Sequence, residues 1–549
     1  MLKPDLWTCI TAVQAPRHVW NLGEVVVAVE AREILTHSLR QPKLSDMISD
    51  FLKGKPMITK QTQKNARLFP STAHTLHRDE FAPDFVFGAS TSAYQVEGAA
   101  NEDGRKPSTW DTFAHSGNKY VGDGDVACDQ YHRYKEDVQL MVDMGLEAYR
   151  FSISWSRLIP DGRGLVNPKG IQPHVTLLHF DIPQILEDEY EGWLSRSVVQ
   201  DFTAYADVCF REFGDRVKHW TTVNEANAYA IFGYDVGISP PQRCSPSSLV
   251  NCSKGNSSTE PYLAAHHMLL AHASAARLYR KKYQAIQRGV IGLNIISFGY
   301  VPKTNSTDDV RAAQRARDFN IGWFLDPITF GDYPDIMRKN AGSRLPYFTK
   351  KESNMIRNSI DFLGLNFYFS FYVKNNPGNL QNEDRDFIAD IAMESERILR
   401  EDTAPDEVPI TPDIFLGVLD SIKKAYGNIP IYIHENGQKT PHNSSLEDLS
   451  RVKFLQAYIG SLVDALRSGS NVKGYFVWSF MDAYELVGGY EQSYGLYYVD
   501  MNDPNLRRQP KLSAEWYSNF LKRKPLDSKI TKEIAKNVLS HDTLLHNTT

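Results

Sequence analysis

"PIYIHENG", Pro430–Gly437, is the stretch on which the fold turns. Its first half, Ile431 to Ile433, is apolar and β-branched or aromatic, the composition of a strand buried on both faces. Its second half is His434, Glu435 and Asn436, three groups that do not belong in an apolar core. A buried strand that ends in chemistry is the signature of a parallel sheet whose carboxyl ends carry the site. Runs of the same kind recur at Phe85–Ser90, Ala148–Ser154, Pro173–Phe180, His219–Glu225, Val290–Ile296, Asp361–Tyr368 and Val472–Phe480. That makes eight. Between them lie segments with apolar residues at helical spacing, such as Ala127–Gly145 and Leu449–Gly469. Eight strand–helix alternations predict an α/β chain folded as a (β/α)8 TIM barrel.

The strand ends carry a consistent set of side chains. Gln95 lies just beyond the first, then Arg150, His179, Glu225, Asn366 with Tyr368, Glu435 and Trp478 end the others. Polar barrel ends meet water in any case, which accounts for one or two carboxylates. It accounts poorly for two Glu on different strands together with two aromatics. Glu225 in "TTVNEAN" and Glu435 in "IYIHENG" end strands four and seven, which face each other across an eight-membered ring. Two such carboxylates can share glycosidic cleavage, one protonating the leaving oxygen and the other attacking the anomeric carbon. Their environments must then push their pKa values apart. Arg150 and Tyr368 beside Glu435 would keep it ionised, and Glu225 beside the neutral Asn224 amide could stay protonated.

Bulk properties bound the rest. The chain has 549 residues, 42% hydrophobic and 23% charged, with a net charge of −5, so it carries no nucleic-acid signature. No apolar run is long enough to span a bilayer. Residues 1–78 hold 11 Lys+Arg against 6 Asp+Glu, while the remainder is acidic. We read 1–78 as an atypical, mobile extension, 79–522 as the catalytic barrel and 523–549 as a polar tail. The N-terminus makes a poor secretory signal, because charges flank Val25–Val29 too closely. Against that, Cys244 and Cys252 sit in a Pro- and Ser-rich loop, where a disulfide is favoured over two exposed thiols. Sequons at Asn251, Asn256, Asn305, Asn443 and Asn547 lean the same way, toward the secretory route (vacuole or outside the cell).

With these residues in place the sequence closely resembles plant β-glucosidases of glycoside hydrolase family 1, over about residues 79–522. "FVFGASTSAYQVEGA" (Phe85–Ala99), "TVNE", "HENG" and "YFVWSFMDAYEL" match four ordered motifs of that family. The resemblance implies a retaining hydrolase of β-D-glucosides that needs no metal and no cofactor. It implies Glu225 as acid/base and Glu435 as nucleophile. It places Gln95, His179, Asn224 and Glu485 on the sugar hydroxyls, Trp478 beneath the sugar ring, Tyr368 on Glu435 and Tyr494 at the pocket's closure. The partner implied is a small β-glucoside; the oligomeric state is not implied.

Four departures from the family stand out. The residue after Glu225 is Ala226 where the family has Pro, which frees one φ angle and predicts a looser Glu225. Leu486 follows Glu485 where a Trp is common, and here the chain resembles members that transfer glucose to an acceptor. Asp413 replaces a Trp of the leaving-group side, which predicts a loss of aromatic platforms there. Finally, only fourteen residues separate Arg157 from Gln172. "NPKG" (Asn167–Gly170) begins a helix, with Asn167 as N-cap and Pro168 at the first turn, yet the chain goes straight on to the third strand. The barrel is therefore expected to lack the helix between its second and third strands, about 15–20 residues. Transglucosidation and a degenerate, non-catalytic barrel are the alternatives these departures raise.

Overall fold

The structure, a computed structural model, describes residues 76–117, 122–163 and 174–524, apart from positions 247, 249, 251, 383, 401–403 and 405–406. Residues 1–75 and 525–549, most of the extension read at 1–78 and of the tail read at 523–549, lie outside the described residues. Eight parallel strands form the barrel: β1 Val86–Ser90, β2 Ala148–Ser152, β3 His174–Leu178, β4 His219–Val223, β5 Val290–Pro302, β6 Phe362–Asn375, β7 Ile431–Asn436 and β8 Val472–Trp478. Each pairs with the next in chain order, and β8 pairs with β1, so the sheet closes and leaves no barrel edge. Every strand coincides with one of the eight apolar runs. Two are longer than expected: β5 and β6 stay paired above the rim as far as Pro302 and Val373. There a further strand, Met393–Arg397, joins β6 in antiparallel sense. This raised flap walls one side of the barrel mouth.

The interior is packed in layers, as a small barrel requires. Inward-facing His174 and His219 stack at 4.0 Å near the barrel floor, with Tyr432, Phe476 and His434 around them. Glycines fill the facing positions. At Gly364 an added Cβ would lie 2.4 Å from His434 Nδ1, so only glycine lets that ring sit flat across the bore. Outside, long helices cover the strands, among them Gln130–Met144, Ser197–Phe213, Glu260–Lys282, Pro412–Tyr426 and Leu449–Arg467.

One connection differs from all others. From β2 to β3 the chain uses 21 residues, 153–173, whereas the next shortest link, β7 to β8, uses 35, 437–471. Among its described residues the only helix is a single turn, Trp155–Leu158; the segment 164–173, which includes the helix start read at Asn167–Gly170, lies outside the described residues. The outer barrel surface registers the difference. Outward side chains such as Phe87, Val175, Leu177, Trp220, Leu293 and Leu365 are at most 1% exposed. On β2, Tyr149 and Phe151 are only half-buried, and Ile153 just beyond is the same. β3 escapes because helix Ser197–Phe213 lays Phe202 and Tyr205 over it, with the Tyr205 hydroxyl donating to Leu177 O at 2.6 Å.

Candidate active site

The two carboxylates sit where the strands deliver them, buried at the carboxyl end of the barrel. Glu435 belongs to β7. Its Oε1 accepts from Arg150 Nη1 at 2.6 Å and its Oε2 from the Tyr368 hydroxyl at 3.1 Å. Glu225 follows Asn224 just beyond the end of β4 and takes left-handed backbone angles, φ +40°, at the start of helix Ala226–Tyr234. Its backbone N–H donates to Asn294 Oδ1 at 2.9 Å, and its Oε1 accepts from Asn366 Nδ2 at 2.8 Å. No cation touches it among the described residues. Ala226 is fully buried at the first helical position.

Electrostatics separate the pair. Burial pushes the Glu225 carboxyl up, and the nearby charge of Glu435 pushes it further, to about 8. Burial also raises Glu435, but Arg150 and the Tyr368 hydroxyl pull against it. At neutral pH the proton shared by this pair therefore rests on Glu225 and the charge on Glu435.

Asn366, which the sequence reading placed at a strand end without a role, is the amide that touches Glu225. The expected neighbour, Asn224, turns the other way: its Oδ1 accepts from Arg150 Nη2 at 2.6 Å and its Nδ2 lies 3.1 Å from His179 Nε2. Asn294 was not foreseen at all. Both asparagines occur in the same tripeptide, Gly292-Leu293-Asn294 and Gly364-Leu365-Asn366, on adjacent strands. A polar residue repeated inside two apolar strands was the available signal. Their side chains bond each other at 2.7 Å, Asn294 Nδ2 to Asn366 Oδ1, which locks the amide that faces Glu225.

The remaining expected groups converge on the same cavity. Gln95, His179, Asn224, Glu225, Tyr368, Glu435, Trp478, Glu485 and Tyr494 all line it. Gln95 is fixed by Ser92, whose hydroxyl donates to Gln95 Oε1 at 2.6 Å, and by its own Nε2 donating to Tyr484 O at 2.9 Å. Trp478 and His179 lie with near-parallel rings, centroids 5.8 Å apart. His179 Nδ1 and Glu485 Oε1 are buried without a hydrogen-bond partner, and burial raises the Glu485 carboxyl to about 8. A ring donor and a carboxyl oxygen left unpaired at the base of a cavity are what hydroxyl groups of a bound sugar would satisfy.

Toward the mouth the lining turns apolar: Phe232, Phe298, Tyr300, Phe371, Phe387 and Ile388. This corrects the expected loss of aromatic platforms. Asp413 opens helix Pro412–Tyr426 with its side chain 69% exposed, 3.3 Å from Arg400, and does not line the cavity; the rings come instead from helix Ala226–Tyr234, from the extended β5 and β6, and from helix Phe387–Asp390. Leu486 lines the mouth beside them. Cys244 and Cys252 form the expected disulfide, in the loop whose Ile238 and Ser239 border the cavity. Asn256, Asn305 and Asn443 of the sequons are exposed.

Residues 77–526 match the model of glycosyl hydrolase family 1. β-Glucosidase 11 of Arabidopsis thaliana is 55% identical over 484 residues, covering 81% of this chain and 93% of its own. A cyanidin 3-O-glucoside 7-O-glucosyltransferase (acyl-glucose) of Delphinium grandiflorum is 51% identical over 468 residues, covering 82% and 91%. Among solved structures, a rice β-glucosidase in covalent complex with glucose superposes with a TM-score of 0.77 at 44% identity, covering 81% of this chain and 99% of the other. The chain belongs to glycosyl hydrolase family 1. Within that family it is a retaining β-glucosidase, working through a covalent glucosyl-enzyme.

Proposed function

We propose that Glu435 is the nucleophile and Glu225 the acid/base of this β-glucosidase. The observation that carries the assignment is the asymmetry of their partners: Arg150 and Tyr368 on Glu435, amides alone on Glu225. In the first step the Glu435 carboxylate attacks the anomeric carbon while Glu225 gives its proton to the departing oxygen. The C–O bond to the aglycone breaks and a glucosyl ester forms. Esterification removes the charge on Glu435, and with it one of the two causes that hold the Glu225 carboxyl high. The same residue, now a carboxylate, takes a proton from water, which attacks the anomeric carbon and frees Glu435. Gln95, His179, Asn224 and Glu485 orient the sugar through its hydroxyls, and Trp478 lies under its ring. The apolar mouth receives an aryl or other flat apolar aglycone. Exposed Asn256, Asn305 and Asn443 are offered to glycosylation.

The test separates the two carboxylates. Glu435→Gln should lose activity toward every aryl glucoside. Glu225→Gln should lose about 10²–10⁴-fold toward a poor leaving group, yet still release dinitrophenol, which needs no proton. Added azide should then restore turnover and yield the β-glucosyl azide. An α-azide, or equal losses on both leaving groups in Glu225→Gln, would overturn the roles.

A further inference from the structure

A second groove lies away from the mouth, at the amino end of the barrel, and its lining contains no acidic side chain. It carries Arg277, Arg280, Lys281, Lys350, Lys351 and Arg357. The first three sit at the end of helix Glu260–Lys282, and Lys350 and Lys351 open helix Lys350–Ile356. Arg280 is paired with Asp361. Among the described residues Arg277, Lys281, Lys350 and Lys351 have no ion-pair partner, and all four, like Arg357, are exposed. Cations at a helix's last turn are favoured by its carbonyl dipoles, but Lys350 and Lys351 stand at the end where cations are disfavoured. In a chain of net charge −5, five exposed cations facing one groove raise a local field that helix propensity does not explain.

We propose that this groove docks an acidic polysaccharide, a chain of uronate sugars, and so tethers the enzyme with its mouth free. Two rows of cations on neighbouring helices can bind carboxylates on successive sugars. Beside them Phe330 is 53% exposed, and its carbonyl accepts from Arg357 Nε at 2.8 Å. An exposed ring next to cations suits the CH face of a pyranose. The apolar lining is only Ala273 and Met355, which gives an acyl chain no seat. One ring is too few for the serial base stacking that single-stranded nucleic acid uses.

The full chain would be run through matrices of polygalacturonate, neutral glucan, anionic phospholipid vesicles and single-stranded DNA. Retention on polygalacturonate, and release as salt screens the charges, is the expected result. Lys281→Glu with Lys350→Glu and Lys351→Glu should weaken that retention at least tenfold, while Lys→Arg at the same positions keeps it. Hydrolysis of a small aryl glucoside should be unchanged in both variants, which shows that they fold. No retention, equal retention on neutral glucan, tighter retention on vesicles or DNA, or a charge-reversed variant that binds like the parent would each overturn the proposal.

Discussion

Glu225 and Glu435 share a side chain and a burial, and differ in what surrounds them. Arg150 is the residue that makes the difference, because it reaches both Glu435 and Asn224 from β2. Removing its charge should raise the Glu435 carboxyl most, so Arg150→Met should move the acidic limb of kcat/KM upward, with the alkaline limb following by a smaller step because Arg150 also pulls on Glu225. The alkaline limb belongs to Glu225: activity should fall above about pH 8, as the acid loses its proton before substrate arrives. That high value has a cost in stability. A carboxyl whose folded pKa stands above its ordinary 4.5 loses stability as pH climbs between the two, because the unfolded chain releases its proton first. Glu225→Gln should therefore raise the melting temperature at pH 7 and change it little at pH 4. A uniform shift at both values would mean that packing, not protonation, is responsible.

At the scale of elements, the connection from β2 to β3 is the shortest in the barrel. Tyr149, Phe151 and Ile153 are half-buried on a surface that is elsewhere closed. Phe151→Ala should cost less than about 2 kcal/mol, whereas Phe202→Ala, at a fully buried ring, should cost about 3–5 kcal/mol; denaturant midpoints compare them directly. Each half-covered side chain also leaves apolar area in water and offers it to other chains. The chain as written is expected to be poorly soluble or weakly active, and a helix inserted after Gly170 should raise soluble yield and the unfolding midpoint together. Unchanged yield, midpoint and turnover would show that the short link suffices.

The strands themselves were legible because burial on both faces leaves a continuous apolar run, and their ends because a rim carboxylate has no place in that run. What was not legible has physical reasons too. β5 and β6 continue past Ile296 and Tyr368 as a flap with mixed polarity, so no apolar run marks their length. The Asn366–Glu225 contact depends on a register shift between β6 and β7 that sets Asn366 opposite Glu435, and register is a property of pairing, not of one strand's composition. The aromatic mouth was missed because its rings come from separate elements, each reading locally as core.

For the whole molecule, the layered picture is a rigid barrel with a polar sugar floor and an apolar mouth. Such a mouth should favour aryl β-glucosides over cellobiose in kcat/KM, since a second sugar would leave its hydroxyls facing Phe298 and Phe371. Equal values would argue against an apolar aglycone side. The barrel, with its short β2–β3 link, is expected to present Glu435 as a nucleophile. The most direct measurement is to trap the intermediate with an activated 2-deoxy-2-fluoro-β-glucoside, whose fluorine slows both steps while its leaving group still departs, and to locate the label by peptide mass spectrometry. The account predicts one fluoroglucosyl group per chain, on Glu435 in the peptide containing Ile431–Asn436, and none in Glu435→Gln. A label elsewhere, or a folded protein that takes no label, would contradict it.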